Sequence, residues 1–135
     1  MYPKMGKSKR FLTGIACAVA MLLWGGCGQS DQEQVRQVVE DYIQAVSKGD
    51  FAATCDLFTD EYRRQLGGDA ACVQAQRAQY GSASSEPDLQ ISSVHVKGKH
   101  ANAGLEISRD SGSPSPLSLL VVLEDDDQWR IRGQQ

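Results

Sequence analysis

The hydrophobic period of the sequence changes once, near Pro87, and that change constrains the fold more than any other feature. Before it, Val35, Val38, Val39, Tyr42, Ile43 and Val46 recur at the spacing of one helix face. After it, apolar residues alternate as strands require: Leu89 and Ile91, then Val94 and Val96 in the opposite phase, then Ala101, Ala103, Leu105 and Ile107. Helices first and strands second predict an α+β fold: three N-terminal helices packed on a curved antiparallel sheet of about four strands.

Local signals place the boundaries. Ser30 and Glu33 read as a capping box at the start of the first helix. Gly49 ends it in a left-handed conformation, with Lys48 at the negative end of the helix dipole. Asp50 caps a second helix whose apolar content is Phe51, Ala52, Cys55, Leu57 and Phe58. Thr59 restarts a turn that runs through Tyr62 to Leu66, and Gly67-Gly68 breaks it. Asp69 is expected to cap a third helix over 70–80, whose apolar face is thin: Ala71, Cys72, Ala75 and Ala78.

The strands carry their own punctuation. The phase switch at Ser92-Ser93 predicts a β-bulge. Lys97-Gly98-Lys99 turns the chain, and 108–116 reads as a loop. Leu117–Leu123 is apolar on both faces, as in a central, covered strand. Asp125 to Asp127 sit where a hairpin turn is due, before a last strand with Trp129 and Ile131.

The first thirty residues read as an address. Lys4, Lys7, Lys9 and Arg10 precede the apolar run Phe11–Trp24. That run has about 14 residues, short of the ~20 that span a bilayer, and fits a secretory signal. Its exit, Leu22-Leu23-Trp24-Gly25-Gly26-Cys27, resembles the lipobox of bacterial lipoproteins, although Trp24 stands where leucine is usual. The resemblance implies cleavage before Cys27 and diacylation of that cysteine. The implied organisation is a signal peptide at 1–26, a lipidated N-terminus and tether at 27–32, and a folded domain at 33–135. Two acyl chains hold a protein at the membrane stably, here on the extracytoplasmic side. Gly28, not an aspartate, follows the cysteine, so nothing there marks inner-membrane retention. The alternative is an uncleaved N-terminal anchor. Without the four leading bases the chain has 10 basic and 17 acidic residues, a net of −7. That balance argues against a nucleic-acid partner, which needs a basic face.

Cys55 and Cys72 are an even pair in a domain read as exported, where such pairs bond more often than not. The loop they close stabilises a fold by roughly 3 kcal/mol in the chain-entropy account. Two buried thiols are the alternative.

The string Val38-Val39-Glu40-Asp41-Tyr42-Ile43-Gln44-Ala45-Val46-Ser47-Lys48-Gly49-Asp50-Phe51, then Leu57-Phe58-Thr59-Asp60, resembles the opening of the nuclear transport factor 2-like superfamily. Asp126-Asp127-Gln128-Trp129-Arg130-Ile131 is similar to its final strand. The resemblance implies a cone, with a pocket at its wide end, in a superfamily that holds ketosteroid isomerase, cyclases, dehydratases and exported binding domains. Two departures bear on function. The turn at Leu66–Asp69 leaves no room for the hairpin usual between the second and third helices. Tyr42 falls where the isomerase has its oxyanion-hole tyrosine, but Leu66 falls where it has its base, and leucine takes no proton.

The expected pocket is lined by Tyr42, Phe58, Leu105, Leu119 and Trp129. Tyr42 reads more simply as a core tyrosine with a satisfied hydroxyl. His95 and His100 flank a turn and read as solvated; Asp125 to Asp127, with Glu124, lack EF-hand spacing and read as a solvated turn. No P-loop, dinucleotide glycine motif, His-Glu-x-x-His or nucleophile elbow occurs, so neither cofactor nor metal is expected, and no catalytic residue is assigned. The favoured reading is a membrane-anchored, non-catalytic module that binds an apolar small molecule or an envelope protein. The alternatives are a small-molecule isomerase, cyclase or dehydratase of the same fold, and an assembly part that forms a homodimer through the sheet's open face, where Leu120 and Val122 hint at cover.

Overall fold

The structure, a computed structural model, describes residues 29–81, 86–110 and 112–135. The signal segment and Cys27 lie outside the described residues. Ser30 starts α1 (Asp31–Ser47), its Oγ accepting the Glu33 N–H at 3.3 Å. Val35, Val39, Tyr42, Ala45 and Val46 form its buried stripe. Gly49 follows at φ 67°, a conformation that costs glycine little. Asp50 caps α2 (Phe51–Asp56) by accepting the Ala53 N–H at 3.0 Å.

The restart at Thr59 is a helix of its own, α3 (Asp60–Gln65), so four helices precede the sheet among the described residues. Thr59 Oγ1 caps it on the Tyr62 N–H at 3.1 Å. α4 (Asp69–Tyr80) departs from expectation at its start. Gly68 holds the N-cap position, at φ 102°, and no side chain caps the helix. Asp69 is already helical, and its carboxylate lies 3.6 Å from Arg63. The preceding pair of positive-φ glycines shifts the helix start by one residue and gives Asp69 to an ion pair instead.

The sheet is an antiparallel meander: β1 (Asp88–Lys97), β2 (His100–Ser108), β3 (Ser115–Leu123) and β4 (Trp129–Gln134), adjacent in that order. The expected bulge is present. Ile91 pairs with Leu105 and Ser93 with Gly104, leaving Ser92 extra. A Cβ on Gly104 would stand 2.7 Å from Ser93 Oγ and 2.8 Å from Ser92 Oγ, so a side chain opposite the bulge would force both serine hydroxyls to move. A second bulge was not foreseen: Val121 pairs with Ile131 and Leu120 with Gly133, leaving Arg132 extra. Bulges of this kind bend a strand and re-aim the residues that follow.

β3 is interior to the sheet, but it is not covered on both faces. Leu117, Leu119 and Val121 are buried, while Leu120 and Val122 on the other face are half-buried. The helices pack on one face, and among the described residues α3 approaches the other, across an open cleft. The edge of β4 is closed by the chain before α3. Ile131 N–H donates to Leu57 O, and Thr59 N–H to Ile131 O, each at 2.9 Å. That short parallel bridge satisfies an edge otherwise open to other strands.

Candidate functional site

Tyr42 sits on the inner stripe of α1 and is fully buried. It is stacked 6.3 Å from Phe58 and edge-on at 6.4 Å to Tyr80. Phe58, Leu105 and Leu119 are also fully buried beside it, and Trp129 nearly so. All five residues of the expected pocket therefore lie in the one apolar core.

The Tyr42 hydroxyl is held from two directions. The Tyr42 and Tyr80 hydroxyls share a hydrogen bond of 2.7 Å, and Gln134 Nε2 donates to the Tyr42 oxygen at 2.6 Å. Gln79 Nε2 donates to the Tyr80 oxygen at 3.0 Å. Outside this cluster, Arg109 Nη2 donates to the Gln79 carbonyl at 2.7 Å, tying the end of β2 to α4. The cluster thus comprises two phenols and two carboxamides, and none of these groups ionises near neutrality.

Electrostatics keep the phenols protonated. Burial drives the Tyr42 pKa far above the usual phenol value, and the neighbouring Tyr80 adds to the effect. Burial also raises Tyr80 and Tyr62, although the hydrogen bond from Tyr42 and the charge of Arg109 partly oppose it at Tyr80. A phenol in this setting donates or accepts a hydrogen bond; it does not release its proton. Leu66 is a half-buried leucine at the C-terminal cap of α3.

Sequence reasoning placed Tyr42 but missed its partners. Tyr80 was legible in principle, since Cys72, Gln76 and Tyr80 follow at four-residue intervals and are the buried face of α4. Gln134 was not. Trp129 and Ile131 point inward, and strict alternation would send Gln134 outward. The extra residue Arg132 reverses the phase and turns Gln134 toward Tyr42. The signal that remains is Gly133, because glycine inside a strand often marks a bulge.

The disulfide anchors this arrangement. Cys55 on α2 and Cys72 on α4 are within bonding distance, with Cα atoms 6.2 Å apart, and both are buried. One turn beyond Cys72, Gln76 is buried, and its Oε1 has no hydrogen-bond partner among the described residues. Arg63 on α3 faces Asp56, Asp60 and Asp69, linking the same helices at the surface.

The remaining polar groups are peripheral. His95, His100 and Glu106 are exposed on the sheet. Arg130 pairs with Asp126 through two hydrogen bonds of 2.8 and 2.9 Å and with Glu124 at 2.9 Å. Hydrogen bonding from Arg130 holds the Asp126 carboxyl below its ordinary range. Among the described residues, no group of three or more His, Cys, Asp or Glu is arranged to hold a metal. Clefts between described residues lie at the rim. One of about 600 Å³ runs between Tyr62 and Arg64 of α3 and Leu120, Val122 and Arg132 of the outer sheet face. Another, of about 300 Å³, lies beside Arg109 and Ser113. Tyr42 lines neither.

No protein-family model matches the chain, and no curated protein does. Solved structures match it as folds. An NTF2-like protein of unknown function from Silicibacter pomeroyi aligns with 23% identity, over 76% of this chain and 90% of that one, at a TM-score of 0.53. An NTF2-like protein of unknown function from Shewanella baltica aligns with 13% identity, over 80% and 94%, at 0.59. A de novo designed NTF2-fold protein aligns with 17% identity, over 78% and 87%, at 0.54.

Proposed function

From an NTF2-like fold, we propose that this chain is a lipid-anchored, extracytoplasmic module that works by binding, not by catalysis, and that its partner is a protein of the cell envelope. The observation that carries the reading is the closure of the interior at Tyr42. Its hydroxyl is bonded to Tyr80 and Gln134, two groups that neither give nor take a proton near neutral pH. General acid–base work needs a group poised near the working pH within reach of a substrate. A fold of this class hosts many functions, so the site carries the inference and the fold does not. The anchoring part rests on Cys27 and the segment before it. It is consistent with the helices that follow, none of which, among the described residues, is long and apolar enough to cross a membrane.

The test has two arms. The full chain and its Cys27→Ala variant are expressed in a bacterium fed labelled palmitate and then fractionated. The expected result is label and membrane association for the first, and loss of both for the second. An unlabelled chain, or a variant that behaves like the parent, overturns the anchoring. In the second arm the purified protein is incubated with enolisable ketones and small hydroxy-carbonyl compounds. They are expected to be recovered unchanged. Turnover that disappears in Tyr42→Phe overturns the non-catalytic reading.

A further inference from the structure

The described chain starts at one end of the domain, and the neighbours of that start are specific. Gln29 O accepts the Gln34 side-chain amide at 2.9 Å. Gln29, Gln34, Gln37 and Asp41 line a cleft with Asp127, Gln128 and Trp129, so α1 from its start to its middle lies beside the β3–β4 turn. The β1–β2 turn is at the same end: Leu123 N–H, at the top of β3, donates to Lys99 O at 2.9 Å. From the middle of α1 the Tyr42 hydroxyl meets Tyr80 and Gln134, the last residues of α4 and β4, toward the opposite end, where Arg109 bonds the Gln79 carbonyl.

Between Cys27 and the helix cap Ser30 there are only three residue steps. Fully extended, they reach about 11 Å. The 17 residues of α1 carry the chain about 26 Å from one end of the domain toward the other. A tether less than half that length brings the starting end to the bilayer and holds the other end away from it.

We infer that the end formed by the start of α1, the β1–β2 turn and the β3–β4 turn faces the bilayer, and that the opposite end, around Arg109 and Gln79, points away from it. The inference rests on acylation of Cys27. Charge does not supply the contact. Lys97 and Lys99 in one turn stand beside Asp125 and Asp127 in the other, with Asp31 and Glu33 in the first turn of α1, a net acidic surface. Anionic headgroups repel such a surface, so the orientation depends on the lipid and the short tether, and it persists at high salt.

The full chain, purified from a bacterial membrane in detergent, is reconstituted into phosphatidylcholine–phosphatidylglycerol vesicles containing a nickel-chelating lipid. Single spin labels are placed at Lys99→Cys, Asp125→Cys, Ser113→Cys and Glu106→Cys, all exposed positions. Relaxation by surface nickel is expected to be at least several-fold stronger at 99 and 125 than at 113, with 106 between, at low and high salt alike. Equal relaxation at all four, strongest relaxation at 106 (a domain lying on its sheet) or strongest at 113 overturns the orientation. Mass analysis of the same sample separates the two claims. A chain without a diacylglyceryl group on Cys27 overturns the anchoring and the orientation together. An acylated chain with the wrong gradient overturns the orientation alone.

Discussion

The two longer helices, α1 and α4, enclose the same interior and are held there by different physics. α1 buries Val35, Val39, Tyr42, Ala45 and Val46 and is capped at its start by Ser30. α4 buries Cys72, Gln76 and Tyr80, starts without a side-chain cap, and packs on α2. One helix is held by apolar area, the other by a covalent bond and hydrogen bonds. Of these two helices, the one that brings Tyr80 onto Tyr42 is therefore the one with less apolar burial. A helix held this way is a separable unit, and local opening draws on such units first.

Removing the covalent link tests that difference most strongly. The Cys55→Ala/Cys72→Ala double variant is expected to lose about 3 kcal/mol of unfolding free energy in urea. Hydrogen exchange should rise along 69–80 and stay low along α1. Uniform loss of protection in both helices would mean that they open together and that the contrast is false. In α1 the corresponding experiment is Val39→Ala, which truncates a fully buried side chain. It is expected to cost about 2 kcal/mol through lost burial and the cavity left behind, with α1 and α4 opening together.

The contrast also explains what could be read in advance. α1 was legible because periodicity reports apolar burial, and α1 is held by little else. The strands were legible for the same reason, down to the bulge at Ser92, where a phase switch in Leu89, Ile91, Val94 and Val96 marks it. The closure of the cone was not legible. It depends on Tyr80, Gln79 and Gln134, polar groups whose partners are distant in sequence, and on an extra residue at Arg132 in a strand too short to show a phase change. The cap assigned to Asp69 failed because an aspartate after two glycines fits either side of a helix start, and its ion pair with Arg63 is a tertiary fact.

Smaller perturbations sharpen the comparison. Gln76→Met replaces a buried carboxamide, whose oxygen has no partner among the described residues, by an apolar chain of similar length. It is expected to stabilise the protein by about 1 kcal/mol in urea denaturation; destabilisation of that size would show that the amide is satisfied in solution. Tyr80→Phe removes one hydrogen bond from the Tyr42 hydroxyl and leaves that of Gln134. The expected cost is about 1 kcal/mol or less, with faster exchange confined to the C-terminal turn of α4. The smallest effect belongs to the exposed pair on the hairpin. Asp126→Asn should lower the melting temperature slightly at neutral pH. The Asp126 carboxyl has a depressed folded pKa, so its contribution is present above the ordinary carboxylate range and fades as pH falls through the folded value. The two proteins should therefore converge in acid; a gap that stays constant to low pH would show that the pair acts through packing.

Tyr42 is fully buried and its phenol is hydrogen-bonded to Tyr80 and Gln134. Ultraviolet titration of the mature protein in detergent, following tyrosinate absorbance, tests that arrangement most directly. Burial raises Tyr42 far above the ordinary phenol range and raises Tyr62 and Tyr80 in the same direction, so Tyr42 should form no tyrosinate near pH 10 and the other two should ionise above their ordinary value. Stability contributed by the protonated phenols is complete below that range and declines as pH rises above it, so ionisation should coincide with loss of far-ultraviolet circular dichroism. A tyrosine that titrates at or below pH 10 in the folded state, and is lost in Tyr42→Phe, would contradict the account by showing an accessible phenol able to move a proton.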